Sequence, residues 1–572
     1  MAFNEIRRRP RVDALDAVDL HPVLRRVYAT RGVSCAEELD LSLERLLPVG
    51  SLDGVAAAAS LLAAHRRGRV LVVGDFDADG ATSSALVVRA LRAMGFAHVD
   101  FLVPNRFRFG YGLTPEIVAL AATREPSLIV TVDNGVSSLD GVDAARELGI
   151  PVLVTDHHLP GESLPRAAVI VNPNLGGSTF ASTALAGVGV AFYVMVALAR
   201  ELNATQFRAA ELLDLVALGT VADVVPLDRN NRILVAQGLR RVRAGRCVPG
   251  IRALLEAAGR RFDQVTTADL GFAVAPRLNA AGRLTDMSIG IACLLADDEL
   301  EAARLATQLG KLNEERREIE QRMQLEAVDI AADLRMDSIG NESLGLCLFD
   351  AGWHQGVVGL VAGRIKDRLH RPVIAFARAE DGSLRGSARS IAGVHIRDAL
   401  DSIAARNPGL IGKFGGHAMA AGLTLPEAHL ERFRAAFAAE VAARADTEAL
   451  TGILHSDGEL ADAELSVDTA RILRSGGPWG QGFPEPVFDG NFTVLDTRIV
   501  GSKHLKLRLE PAGAASHGAR GIDAIAFGYV GGATEDAAVR PGNQLHVAYR
   551  LEVNEYRGVE SVQLNCQHLK IA

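Results

Sequence analysis

The stretch Val70-Leu71-Val72-Val73-Gly74-Asp75-Phe76-Asp77-Ala78-Asp79-Gly80 sets the reading of this 572-residue chain. A short, unbroken apolar run fits a strand covered on both faces, and this one ends in carboxylates at alternate positions. The design recurs twice. Leu128-Ile129-Val130-Thr131-Val132 runs into Asp133-Asn134-Gly135, and Val152-Leu153-Val154-Thr155 runs into Asp156-His157-His158. In an open parallel sheet, ligands bind in the crevice outside the carboxyl ends of the strands. Five Asp and two His would therefore converge on one crevice. Carboxylates that close together do not stay ionised without a cation. A metal cluster resolves the conflict, and it points to chemistry on phosphate or a similar oxyanion.

Outward from these strands, residues 55–225 alternate strand and helix, with Ala81 to Met94 at helical spacing after the first acidic loop. That alternation predicts an α/β fold with a parallel sheet covered by helices. Residues 1–54 read as a docked helical extension. Residues 205–300 read as mostly helical, with Pro226, Pro249 and Pro276 as breaks, and 231–298 as the helical part of the same lobe. Residues 299–338 are charged and periodic, with Leu305, Leu309, Leu312, Ile319 and Met323 on one face, which predicts a long connecting helix. Residues 339–445 return to α/β, with strands at 344–349 and 372–376, and Gly415-Gly416-His417-Ala418 starting or flanking a helix. From 452 to 572, five short alternating segments separated by Gly and Pro predict a small barrel.

The bulk numbers allow about three or four domains, and 48% hydrophobic residues support real cores. Five scattered cysteines without a C-x-x-C pair argue against a disulfide framework or a zinc site. The arginines at 7–9 and 11 are not followed by an apolar segment, so no signal peptide is read. The longest apolar run, 184–199, falls short of the roughly 20 residues that a spanning helix needs and reads as a buried helix. A cytoplasmic protein without a membrane partner is expected. The net charge of −8 disfavours a protein coated in positive charge. Nucleic acid remains compatible, because 61 Lys and Arg can gather in one groove.

The first acidic loop has a competing reading as a calcium loop. That pattern needs Gly at the sixth position and Glu at the twelfth. Counting from Asp75, the sixth is Gly80, but the twelfth is Leu86. Asp133 alone fits a helix N-cap or turn as well as a ligand. The His157-His158 pair has no ordinary packing role at a strand end, and His is the commonest metal ligand. Asp223 is flanked by Val221-Ala222 and Val224-Val225, and a partly buried acid is costly unless hydrogen-bonded or bound to a cation. Mixed carboxylate and imidazole donors suit Mn2+, with Mg2+ possible. Two such ions would clamp the attacking and leaving oxygens of an in-line displacement. In the terminal barrel, Lys503, His504, Lys506 and Arg508 read as a basic stripe opposite Leu505, Leu507 and Leu509, suited to tracking a single strand. Tyr556 sits at a hairpin tip, as a stacking platform or a plain turn residue. Trp353 reads as core.

These motifs carry a resemblance. Gly74 to Gly80, Val132-Asp133-Asn134-Gly135, Asp156-His157-His158 and Ala222-Asp223 resemble the four signature motifs of the DHH phosphoesterase superfamily. Pro276-Arg277-Leu278-Asn279-Ala280-Ala281-Gly282-Arg283, Trp353-His354-Gln355-Gly356-Val357-Val358-Gly359 and Gly415-Gly416-His417-Ala418 resemble further motifs of its RecJ branch. The seven motifs stand in order over nearly the whole chain.

The resemblance implies a DHH domain at 55–230, a DHHA1 domain at 339–445 and an oligonucleotide-binding (OB-type) barrel at 452–572. It implies a 5′-to-3′ exonuclease that hydrolyses single-stranded DNA to 5′-mononucleotides with Mn2+ or Mg2+, in repair and recombination. Asp79, Asp133, His157 and Asp223 would hold one ion. Asp77 and Asp133, helped by Asp75, would hold the other. Val73 and Gly74 stand where related metal phosphatases often have a ligand histidine, so either Asp75 supplies that ligand or the place has none. His158 would contact the scissile phosphate, and His354 and His417 the nucleic acid or that phosphate. Arg106, Arg277 or Arg283 with Asn279 of the same motif, and Ser387 with Arg389, would receive the terminal 5′-phosphate. The resemblance also implies a monomer that works with a single-stranded-DNA-binding protein and a recombination helicase. Two other readings compete. One is a DHH/DHHA1 oligoribonuclease or nucleotide phosphatase, which would lack residues 452–572. The other is a non-catalytic DNA-binding relative, which would have lost the acids.

Overall fold

The computed structural model describes residues 5–571, except 11–14, 16–18, 106–108, 110, 111, 338–343, 446, 447, 449, 502, 513–520 and 530–538. The chain forms two compact units: residues 36–316 with 477–484, and residues 1–35, 317–476 and 485–572.

The first unit is built on a five-stranded parallel sheet. Its strands lie in the order His98–Leu102, Arg69–Gly74, Leu128–Val132, Val152–Thr155, Val169–Val171. Leu71, Val73, Ile129, Val152 and Val154 bury one face against the helices Pro115–Ala122 and Leu139–Glu147. The helices Ala78–Ala93 and Gly187–Glu201 are buried along most of their length. The sheet's direction of growth reverses beside Arg69–Gly74, which makes that strand end a topological switch point. The two strands after the switch end in Asp133 and Asp156. The run at 184–199 is this buried helix, as its length predicts.

Beyond the sheet the chain is helical, as expected for 231–298. Pro249 opens the helix Pro249–Ala257. Pro276 does not mark a break: a helical turn at Thr267–Asp269 passes through a π-helical turn at Leu270–Val274 into the helix Ala275–Leu284, with Pro276 in its first turn.

The helix Glu299–Asp337 is a single 39-residue element. Of the five apolar residues on the expected face, Leu305, Leu309 and Met323 are buried and Leu312 and Ile319 half-buried, and Asn313, Arg316 and Glu320 are buried beside them.

The second unit holds a five-stranded sheet in the order Phe414–Gly416, Ala420–Leu425, Leu384–Arg389, Val373–Arg378, Leu346–Phe349. Phe376, Phe433 and Phe437 anchor its core. Gly415-Gly416-His417-Ala418 does not begin or flank a helix; it turns the hairpin between Phe414–Gly416 and Ala420–Leu425. Gly416 has φ 144° and its backbone presses on Ala420 and Ala421, so no side chain fits there. The strands Phe488–Val500, His504–Pro511, Ile522–Ala526, Val559–Ile571 and Gln544–Tyr556 close into a barrel in that order.

The N-terminal residues 1–54 are not the uniform helical extension that the sequence suggests. Among the described residues they contain the strand Glu5–Arg8, paired in parallel with Ile453–Ser456, the helix Pro22–Ala29 and three 3-10 turns. Residues 1–35 and 36–54 also belong to different units. Arg31 and Asp457, each buried, form a bidentate ion pair that ties the helix end to the segment before the barrel. Among the described residues no single helix is long and apolar enough to cross a membrane.

Candidate metal centre

The carboxyl ends of three adjacent strands bring the acids together. Asp75, Asp79, Asp133 and Asp156 are buried, and Asp77, His157, His158 and Asp223 half-buried. Among the described residues, three groups have ligand atoms that all lie within 4.8 Å of one another: Asp75, Asp77 and Asp133; Asp79, His157 and Asp223; Asp133, His157 and His158. Asp133 and His157 each belong to two of them. The His157 Nε2 lies 3.2 Å from Asp133 Oδ1 and 3.5 Å from Asp223 Oδ2.

Local structure fixes each donor. Asp77 caps the helix Ala78–Ala93, its Oδ1 accepting from the Gly80 N–H at 3.0 Å. Gly80 packs on the Asp75 backbone, where a Cβ would sit 2.6 Å from the carbonyl oxygen. Asp79 accepts from the N–H groups of Gly187 (2.7 Å) and Val188 (3.0 Å), at the positive end of the helix Gly187–Glu201. A Cβ on Gly187 would fall 2.6 Å from Asp133 Cβ, so this helix start approaches the cluster only as glycine. Asp133 itself sits at φ 61°, a left-handed conformation that Asp tolerates better than most residues. Asp223 ends the helix Leu213–Ala222.

Asp156, to which the sequence assigns no separate role, organises the histidine pair. Its Oδ1 accepts from the backbone N–H groups of His157 (2.7 Å) and His158 (3.1 Å) and pairs with His158 Nδ1 (2.7 Å). Its Oδ2 accepts from the Val136 N–H at 2.8 Å. Behind it, Asn172 and Asn174 donate to the carbonyls of His158 (2.8 Å) and His157 (2.6 Å). Asn134 donates to Val73 O and Val132 O, tying two strand ends.

The electrostatics follow from this crowding. Burial, then Asp77, lifts the Asp79 carboxyl to about 7. Burial and the surrounding acids hold Asp133 and Asp223 well above the ordinary carboxylate range. For His158, burial opposes the charge, but the hydrogen bond and charge of Asp156 outweigh it and lift the imidazole to about 9. A divalent cation supplies the positive charge that returns buried carboxylates to their ionised state. The donor set, carboxylate oxygens with one or two imidazoles, fits Mn2+ or Mg2+.

The Pro276–Arg283 motif borders this cluster. Asn279 Oδ1 accepts from the Ala78 N–H at 2.8 Å, and a Cβ on Gly282 would sit 1.8 Å from Phe76 O, so the helix Ala275–Leu284 lies directly on the acidic loop. Arg283 is four residues after Asn279, on the same helix face. Arg277 instead donates to Ala273 O (2.6 Å) and Ala257 O (3.2 Å), away from that loop. Arg106 lies outside the described residues.

The remaining candidates are in the other unit. Ser387 and Arg389 share one face of the strand Leu384–Arg389, with Arg389 Nη1 donating to Ser387 Oγ at 3.2 Å. Gly359, from the His354 motif, packs against both, since a Cβ there would lie 2.7 Å from Ser387 Oγ and 2.8 Å from Arg389 Nη2. Ala420, paired with Arg389, also accepts from the His417 N–H, so the exposed His417 turn adjoins the same edge. The Gly356 N–H donates to His354 Nδ1 at 3.1 Å. Trp353 is buried, with its indole N–H on Glu326. In the barrel, Leu505, Leu507 and Leu509 are buried while Arg508 is exposed and Lys506 pairs with Asp523 at 3.1 Å. Lys503 lies in the turn before the strand, out of register with the other basic residues. Arg557 covers the exposed Tyr556 ring at 5.2 Å.

Three family models match the chain: the DHH family N-terminal domain at residues 69–220, the DHHA1 domain at 341–443 and the RecJ OB domain at 456–568. The single-stranded-DNA-specific exonuclease RecJ of Dickeya dadantii is 54% identical over 99% of both chains. That of Escherichia coli is 52% identical over 98% of both. Among solved structures, RecJ of Thermus thermophilus in complex with Mn2+ is 31% identical, with a TM-score of 0.80, covering 98% of this chain and 79% of that one. An exonuclease RecJ bound to manganese is 35% identical with a TM-score of 0.58, covering 70% of this chain and 97% of that one.

Proposed function

The chain belongs to the RecJ family, and we propose that it is a metal-dependent exonuclease that hydrolyses single-stranded DNA from the 5′ end to 5′-mononucleotides. The observation that carries this reading is the convergence of Asp75, Asp77, Asp79, Asp133, His157, His158 and Asp223 into overlapping donor groups. The six-part division read from the sequence, with a DHH domain, a DHHA1 domain and an OB-type barrel, belongs to the same proposal.

Asp79, Asp133, His157 and Asp223 would hold one ion, and Asp75, Asp77 and Asp133 the other; Mn2+ or Mg2+ suits both. Bound there, such ions supply an activated water at neutral pH and charge against the phosphate. The protein's own groups do the rest. The Gly187 and Val188 N–H groups aim the Asp79 carboxylate. Asp156 commits His158 Nδ1, which leaves Nε2 to donate to a non-bridging oxygen of the scissile phosphate. Arg283 shares the Asn279 face beside the acidic loop and is the better placed arginine of its motif for the substrate phosphate, whereas Arg277 braces the helix. Arg106 in this unit, and separately Ser387 with Arg389 in the other, would be candidates for the terminal 5′-phosphate. His354 and His417 would contact the strand, and Lys503, Lys506 and Arg508 would track its backbone along the barrel. A cytoplasmic, monomeric enzyme of DNA repair and recombination, acting with a single-stranded-DNA-binding protein and a helicase, fits this reading.

The test is digestion of single strands labelled at either end, 5′-phosphorylated or 5′-blocked, with Mn2+, with Mg2+ and with chelator. Mononucleotides are expected to leave the 5′ end, only with metal, and far more slowly from blocked strands. Release from the 3′ end would reverse the polarity, and undiminished cleavage in chelator would remove the metal reading.

A further inference from the structure

We infer that Phe272 is a stacking platform for a base of the single strand beside the metal cluster, a positioning residue for the reaction; the inference rests on the nuclease reading above. Phe272 lies in the π-helical turn Leu270–Val274, immediately before the motif helix Ala275–Leu284. Leu270, Ala273 and Val274 are buried, yet the Phe272 side chain is 80% exposed. A π turn inserts an extra residue into a helix, and such turns recur at functional sites. Here Phe272 stands four residues after the exposed Ala268, on the outward face of the segment.

The position of this turn supplies the ligand. Gly271 rests against Val221, where a Cβ would lie 3.2 Å from Cγ1, and Val221 is two residues ahead of Asp223. At the other end of the same segment, Asn279 and Gly282 touch the acidic loop. The segment 270–284 therefore touches the acidic loop at one end and the helix that leads to Asp223 at the other. Val224, next to Asp223, is also exposed (63%) and holds φ 61°, a left-handed conformation rarely adopted by a β-branched residue. Strain of this kind clusters at ligand sites. Two exposed apolar side chains, one of them a flat ring, thus stand on the segments that carry Asp223 and the Asn279 motif. Phosphate held by cations needs no such neighbour. A nucleobase does, because its π face stacks on an aromatic side chain whatever its sequence.

The experiment uses the full-length protein with Mn2+ and end-labelled single strands. Each strand is intact or carries one abasic residue at one of the first few positions from the 5′ end. Wild-type kcat/KM is expected to fall about tenfold when the abasic residue occupies the position that stacks. Phe272→Ala is expected to lose about tenfold on the intact strand and nothing further at that position. Phe272→Tyr is expected to restore the wild-type pattern and Phe272→Leu to fail. The inference is overturned if Phe272→Ala cleaves the intact strand at the wild-type rate. It is equally overturned if the variant's loss adds to the abasic loss at every position, since that pattern marks a packing role. A wild-type protein that releases no nucleotides from any strand would bring down the nuclease reading and this inference together, whereas the first two failures leave the nuclease reading standing.

Discussion

Asp133→Asn is expected to lower the rate of strand cleavage at least about a thousandfold while raising the melting temperature of the metal-free protein. The two effects have one cause. Asp133 is 1% exposed, and its ligand atoms belong to two of the three donor groups. Removing its charge weakens both proposed ion sites at once. Cations at a phosphoryl centre stabilise the transition state by several kcal/mol, and each 1.36 kcal/mol is tenfold in rate. Without metal the sign reverses. Burial, then Asp79, Asp77, Asp223 and Asp75, all disfavour ionised Asp133. An asparagine of the same shape is neutral without having to take up a proton on folding, which removes a cost of roughly 1–3 kcal/mol at neutral pH. The metal-free variant should therefore melt a few degrees higher, and the gain in melting temperature on adding Mn2+ should shrink. Calorimetry with chelator and with Mn2+, alongside the cleavage assay, checks both halves. Wild-type activity, or a wild-type melting shift with Mn2+, would remove Asp133 from the centre of the cluster.

Asp133 is visible in the sequence because parallel strands covered on both faces are written as unbroken apolar runs, and polar residues at their ends stand out. The three strand ends with their acids and histidines are legible for this reason, and so is Asp223, an acid flanked by apolar residues at a helix end. The contacts that aim these groups are much less so. The donors to Asp79 are backbone N–H groups of Gly187 and Val188, and backbone donors have no letter of their own. Asn172-Pro173-Asn174 reads as an ordinary turn, and only the placement of Val169–Val171 beside Val152–Thr155 brings its amides under the histidine pair. Glycine-rich stretches are ambiguous: Gly415-Gly416 suits a helix boundary as well as a hairpin, and the partner strand decides it. The strand Glu5–Arg8 has no apolar alternation and takes its conformation from Ile453–Ser456, more than 400 residues away. Charge alone groups Lys503 with the strand residues, although the period of two already excludes it from their face.

Asp156→Ala is expected to give the second largest effect, although Asp156 belongs to none of the three donor groups. Its carboxylate takes the backbone N–H groups of His157, His158 and Val136 as well as His158 Nδ1, all within 3.1 Å. Alanine leaves these buried donors without their acceptor, and breaking a buried charged pair of this kind costs about 3–5 kcal/mol. The His157 ring loses its backbone anchor, and loss of a group that orients a metal ligand lowers affinity or activity by about 10–100-fold. Asp156→Asn separates orientation from charge. It keeps Oδ1 for the His157 and His158 N–H groups, loses only the acceptor for the Val136 N–H, and no longer holds a charge beside His158. The sign of the pH effect follows. Asp156 raises the His158 imidazole to about 9, so its neutral replacement lowers that value, and the protonated imidazole is lost at lower pH. If protonated His158 donates to the scissile phosphate, the alkaline limb of the pH–rate profile for Asp156→Asn moves to lower pH, while the acidic limb moves less. Measuring kcat against pH at saturating Mn2+, with melting temperature as the control for folding, isolates this effect. An unmoved alkaline limb in a protein of normal stability would mean that the Asp156–His158 pair serves architecture alone.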